Sequence, residues 1–168
     1  MYIYEMNDNN IIIVARFMSS LKPEWWNIDG AYSQLESGFG WYMGLSEEKP
    51  MGWVLCKNYE GYRTLEIECL GYGSSGELKV GKELQPLLEK VEEWVRHKGL
   101  ANIRFIIGSL GLSCHKKIIN IPWVELRDLK SISRPEYDWF ISMGYIPSGI
   151  MQDIYGDGFH GIELIKRI

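Results

Sequence analysis

Hydrophobic and polar positions change period several times along the chain. Ile12, Ile13, Phe17 and Leu21 recur at roughly helical spacing behind Asp8 and Asn9, either of which can cap a helix. A short strand over residues 2–6 precedes that helix, and a second helix fits residues 29–35, ended by Gly38. The period then shortens. Residues 41–45 and 51–56 are apolar or aromatic runs around the polar turn 46–50, which predicts a hairpin. Residues 64–70 alternate, with Leu65, Ile67 and Cys69 to one side and Glu66 and Glu68 to the other, so two carboxylates project from one face of a strand.

The clearest helix follows a short Gly/Ser loop over residues 71–76. Leu84, Leu87, Leu88, Val91, Trp94 and Val95 form an apolar stripe, with Glu89, Lys90, Glu92, Glu93 and Arg96 opposite and Gly99 as the stop. Residues 103–107 are nearly all apolar, as in a strand covered on both faces. Between residues 110 and 133 the pattern predicts little beyond a short strand or ordered loop at Trp123-Val124-Glu125-Leu126. From Pro135 a helix runs through Trp139, Phe140 and Met143 to Gly144, and two strands, 151–155 and 160–165, close a hairpin at Gly156-Asp157-Gly158.

Composition narrows the class. With 168 residues, 46% of them hydrophobic, the chain suits one domain over residues 1–168. The formal net charge of −4 gives no basic stripe for a polyanion, so nucleic acid is not an expected partner. The run Ile11-Ile12-Ile13-Val14 is too short to span a bilayer before Arg16, and the first six residues lack a basic signal segment. A cytoplasmic protein with no membrane partner is expected. Cys56, Cys69 and Cys114 are odd in number and widely spaced, which suggests reduced thiols and no metal site.

Three segments carry a resemblance to a known family. Residues 87–99, from Leu87-Leu88-Glu89-Lys90-Val91 to the closing Gly99, are similar to the long cofactor helix of the GNAT N-acetyltransferase superfamily. Trp139-Phe140-Ile141-Ser142-Met143-Gly144-Tyr145 resembles its late helix ending in glycine and an aromatic, and residues 155–164 resemble its terminal hairpin. The resemblance implies an α/β fold, a mixed sheet flanked by helices, and an acetyl-CoA-dependent enzyme. The family's pyrophosphate loop, a basic or glutamine residue followed by glycines, maps onto Lys79, Lys82 and Leu84, with Gly81 one place early. Backbone donors around Leu70, Gly71 and Tyr72 would hold the thioester, in a cleft where the strand 64–70 splays from the strand 103–107.

The acceptor amine must lose a proton before it attacks, and Glu68 or Glu66 can take it, Glu68 preferred because it lies nearer the cleft end of its strand. The plainer reading pairs both glutamates with Arg63, Arg104 or lysines. Phe140 stands where the family often has a tyrosine acid, leaving Tyr137 or Tyr145 as substitutes. Trp25, Trp26, Trp41 and Trp53 are core residues or an aromatic wall for a cationic amine. His115 is a loop residue or a base, and His160 a structural one. The acceptor is a small-molecule or peptide amine. The edge of the terminal hairpin is where two copies would pair as a homodimer. A catalytically silent CoA-binding or regulatory module of the same fold is the alternative function.

Overall fold

The computed structural model describes residues 1–59, 61–74 and 76–168, which form two compact units, Met1–Leu100 and Ala101–Ile168. In the first unit the elements are β1 (Tyr2–Glu5), α1 (Ile11–Leu21), α2 (Ile28–Glu36), β2 (Phe39–Gly44), β3 (Pro50–Asn58), β4 (Thr64–Ser74), β5 (Glu77–Lys79), a 3-10 turn over Lys82–Leu84 and α3 (Gln85–His97). The strands form an antiparallel meander, β1 on β2, β2 on β3, β3 on β4 and β5 on β4. The predicted hairpin is present, with Trp41 opposite Val54 and Tyr42 opposite Trp53.

Alternation gives this sheet two packed faces. Tyr42, Trp53 and Leu55 meet Val14, Ala15, Met18 and Leu21 of α1 and Ala31 and Leu35 of α2. The intervening positions Trp41, Met43, Val54 and Cys56 are equally buried, on the opposite face, and α3 packs against β2 and β3, with the Phe39 and Trp94 rings 4.6 Å apart. The residue at the start of α1 is Asn10, buried by folding, and its side chain makes no bond to the helix backbone. Its amide accepts from Asn7 N–H and donates to Glu5 C=O and Glu47 Oε1, so it ties the strand, the helix and the hairpin turn together; Asp8 and Asn9 do not cap. α3 keeps its apolar stripe and stops before Gly99 at φ +67°, but Glu92 is buried rather than on the polar face, where Arg96 neutralises it at 3.0 Å.

β4 differs most from expectation. Gly71, Tyr72, Gly73 and Ser74 continue the strand instead of forming a loop, and Ser75, within that predicted loop, lies outside the described residues. A bulge also falls in β4. Leu55 pairs with Cys69 while Cys56 pairs with Ile67, leaving Glu68 as the extra residue. The bulge breaks the alternation: Ile67 shares a face with Cys56, whereas Cys69 joins Leu55 and Trp53 and accepts a hydrogen bond from Trp53 Nε1 at 3.4 Å. Burial pushes the Cys69 thiol up to about 12, so it is a packing group at neutral pH.

The second unit contains β6 (Asn102–Gly108), α4 (Pro122–Arg127), α5 (Pro135–Ser142), β7 (Ile146–Met151) and β8 (Gly161–Arg167). β8 lies antiparallel between β6 and β7. β6 buries Ile103, Phe105 and Ile107 and leaves its alternate residues half-exposed, so it is fully covered on one face, not two. The Trp123 segment is a helix, α4, started by Pro122 at its first turn. The terminal hairpin begins earlier than predicted, at Ile146, and residues 152–160 form its turn-rich connection. β7 carries Pro147 and an irregular register between Pro147 and Gly149, features that blunt an edge strand against pairing with another copy. Among the described residues no helix is long and apolar enough to cross a membrane.

Candidate active site

The predicted site residues of the first unit lie along β4, β5 and the entrance to α3. Glu66 stands opposite Lys57 in register, and the bulge brings Glu68 to the same lysine: Lys57 Nζ donates to Glu68 Oε1 at 2.8 Å. The two carboxylates therefore share a cation on a neighbouring strand. Lys57, not Arg63 or Arg104, is the residue that pairs with Glu68, and Arg104 pairs with Glu163. The Glu68 hydrogen bond holds the Lys57 ammonium above the usual lysine range, against desolvation, with added attraction from Glu68 and Glu66. A lysine raised on folding contributes stability that is complete below its unfolded pKa and fades as pH rises through the folded value, so the pair is intact at neutral pH.

Glu68 is asymmetric. Oε1 is occupied by Lys57, whereas Oε2 is out of contact with solvent and has no hydrogen-bond partner among the described residues. An unsatisfied carboxylate oxygen is costly, and such groups persist in folded proteins where a ligand or a reaction uses them.

Past the bulge, Leu70, Gly71 and Tyr72 pair with Val54, Trp53 and Gly52. Gly71 has a packing reason to be glycine: a Cβ there would lie 2.8 Å from the Trp53 ring and 2.5 Å from Leu78 Cδ1. Gly71→Ala is expected to lower stability by about 1–3 kcal/mol, the cost of overpacking a filled core. Thermal melts of the two proteins check it, and an unchanged midpoint would mean that Trp53 has room to move.

The loop predicted to receive a diphosphate is built differently from its sequence reading. Lys79 lies in β5, opposite Tyr72, and forms an ion pair with Glu77 at 2.9 Å. Lys82 is exposed. Leu84 is fully buried, so its side chain belongs to the core and cannot obstruct the loop, and its N–H donates to Gly81 C=O at 2.9 Å. Glu83, which the sequence reading passed over, holds the centre. Its carboxylate accepts from the Tyr72 hydroxyl and from its own backbone N–H, which together hold it below the usual glutamate range. Burial and that same bond push Tyr72 up to about 12. No local pattern in the sequence marks this contact, because the antiparallel pairing of β4 with β5 creates it.

In the second unit Tyr137 is buried, its phenol raised by desolvation and by Asp138 and Cys114. Phe140 is buried against Phe105, Trp139 and Tyr145. His115 is half-buried and has a partner, Ser109 Oγ, at 3.1 Å. The fully buried His160 accepts from Asp153 N–H at Nδ1 and meets Lys117 C=O through Nε2 at 3.0 Å, which makes it a structural pin. Of the four tryptophans read as core or as an aromatic wall, Trp41 and Trp53 are core. Trp25 is 64% exposed, stands edge-on to Trp26, and carries Lys22 over its face at 5.3 Å.

No protein-family model and no curated protein matches the sequence. Solved structures do match over the whole chain. The aminoglycoside 6′-N-acetyltransferase from Enterococcus faecium superposes with a TM-score of 0.81 at 16% identity, covering 99% of this chain and 97% of its own. An aminoglycoside 6′-N-acetyltransferase complexed with coenzyme A gives 0.83 at 16% identity with the same coverage. The ribosomal-protein-alanine N-acetyltransferase from Escherichia coli gives 0.65 at 9%, covering 99% and 93%. The chain has the α/β fold of the GNAT N-acetyltransferases, as the three sequence segments implied.

The fit of the α3 entrance to coenzyme A depends on Glu83. Gly81 allows close approach of the backbone, and Lys79 and Lys82 flank it, as a diphosphate requires. The Glu83 carboxylate opposes that charge: it is exposed, and its Oε2 lies 3.3 Å from where a Cβ on Gly81 would stand. Gly81 and the two lysines fit the cofactor's diphosphate.

Proposed function

We propose that the protein is a cytoplasmic N-acetyltransferase, a single GNAT-like domain over residues 1–168, that transfers the acetyl group of acetyl-CoA to a primary amine of a small molecule or peptide by direct attack. The observation that carries this reading is the free, solvent-shielded Oε2 of Glu68 on β4, in a chain with the acetyltransferase fold. The thioester supplies an activated acyl group, and the protein supplies position and proton transfer. Lys57 fixes Oε1, so Oε2 receives the amine's proton, directly or through water, with Glu66 as the second carboxylate beside the same lysine. Backbone donors of Leu70, Gly71 and Tyr72 take the oxygen that gains charge. Gly81, Lys82 and Lys79 hold the diphosphate, and Leu84 anchors the turn that presents them. Tyr137 is the proposed acid: its raised phenol keeps its proton at neutral pH, although a thiolate leaving group needs little help.

Among amines, polycationic amino sugars are the first class to test. Aminoglycoside acetyltransferases are among the structures that superpose on this chain, at 0.67 to 0.83, and the net charge of −4 suits a cationic acceptor. The test is thiol release from acetyl-CoA with an aminoglycoside, a linear polyamine and a short peptide, with mass analysis of the amine. Stoichiometric acetylation of one of them is expected. Tight coenzyme A binding without turnover on any would favour the second reading, a catalytically silent CoA-binding or regulatory module, which Phe140 at the usual tyrosine position supports.

A further inference from the structure

We propose that Glu83 is a built-in competitor for the cofactor's diphosphate: its carboxylate takes the place of the incoming anion at the entrance to α3, latched there by the Tyr72 hydroxyl, and cofactor binding requires the latch to open. The inference rests on the proposed acetyl-CoA site and adds a residue that sets its affinity. Three observations from separate parts of the loop agree.

The first is position. A Cβ built on Gly81, the glycine of the loop, would lie 3.3 Å from Glu83 Oε2 and 3.7 Å from the Tyr72 hydroxyl oxygen, so the carboxylate and its latch both overlie the one residue that lets an anion approach the backbone. The second is donor occupancy. The Leu84 N–H serves Gly81 C=O, the Gln85 N–H serves Lys82 C=O and Pro86 has none, which leaves the Glu83 N–H, beside its own carboxylate, as the donor of this turn that an anion would take. The third is charge. Lys79 is paired with Glu77 and Lys82 faces Glu83, so two acids offset the two lysines that would attract a diphosphate.

An anion entering here replaces one carboxylate and repels it if it stays, so removal of that charge favours the cofactor. The ribose 3′-phosphate of coenzyme A is a separate anion, and a merely global charge effect would be smaller for a ligand that lacks it.

The test is calorimetric titration of wild type, Glu83→Gln and Glu83→Ala with coenzyme A and with dephospho-coenzyme A, which keeps the diphosphate and lacks the 3′-phosphate. The expected result is about fivefold tighter binding of both ligands by both variants, by a similar factor, in line with one relieved like-charge contact. Binding by a variant where wild type shows none would support the same conclusion more strongly. Equal affinity in all three proteins, weaker binding by the variants, or a gain confined to coenzyme A would overturn the inference while leaving the cofactor site in place. Absence of binding in all three would overturn it together with the acetyl-CoA reading.

Discussion

Glu68→Gln is expected to lower the rate of acetyl transfer by about 100-fold or more, the usual contribution of a positioned general base, while the heat of acetyl-CoA binding stays unchanged. Glutamine keeps the shape and can still accept a hydrogen bond from Lys57, but it cannot hold the amine's proton. The ion pair it replaces is about a quarter exposed on each side, so the variant should fold with a loss under about 1 kcal/mol. A large fall in rate with intact binding and an intact melt therefore isolates proton transfer from folding. Glu66→Gln is the companion measurement. A loss confined to that variant would move the base two residues back along β4, and full activity in both, singly and together, would remove the carboxylates from the mechanism.

The largest structural effect is expected at Trp53. Its ring is fully buried between two helices and the sheet, edge-on to Phe17 and Trp26 at 5.9 Å each, with Nε1–H directed at Cys69 Sγ and the outer edge pressed against Gly71. Trp53→Ala removes all of these contacts and leaves a cavity, at a cost of about 3–5 kcal/mol. For a chain of this size that is roughly 6–20 °C in melting midpoint. Trp53→Phe keeps an aromatic body but loses the hydrogen bond and part of the volume, and should fall between alanine and wild type. Because Trp53 sits opposite Gly71 in register, the alanine variant should also disturb the β4 segment proposed to hold the thioester. A midpoint within about 2 °C of wild type would contradict the packing described for this face.

These residues also show what was legible in the sequence. The apolar stripe of α3 and its Gly99 stop were readable because they follow helical periodicity and a left-handed cap, both local rules. The β2–β3 hairpin and α5 were readable for the same reason. Gly71 and Gly73 misled because glycine usually signals a turn. Here Gly71 makes room for Trp53, and Gly73 for Leu21 and the Glu77 carbonyl, contacts that exist only after the sheet has formed. The bulge at Glu68 has no residue signature either, yet it decides which lysine the carboxylate meets. At α4 the local signal existed and was weak: Pro122 suits a first helical turn, but four residues of mixed pattern do not separate a short helix from a strand.

The site was legible as residue types and not as partnerships. Glu66, Glu68, Lys79, Gly81 and Lys82 could be picked out by order along the chain. That Lys57 holds Glu68, that Glu77 holds Lys79 and that Glu83 meets Tyr72 all depend on strand register and the pairing of β4 with β5. Leu84 shows the same limit from the other side: alignment to the family loop placed it among the diphosphate-binding positions, and folding turns its side chain into core.

The most direct test of the central claim is calorimetric titration of the wild-type protein with acetyl-CoA before any acceptor is added. Saturable binding with a Kd in the micromolar range, on the order of −8 kcal/mol, is the result predicted by a GNAT fold whose α3 entrance admits a diphosphate after Glu83 rotates away. No heat with the wild type and none with Glu83→Gln would contradict it, and the acetyltransferase reading would fall with the cofactor.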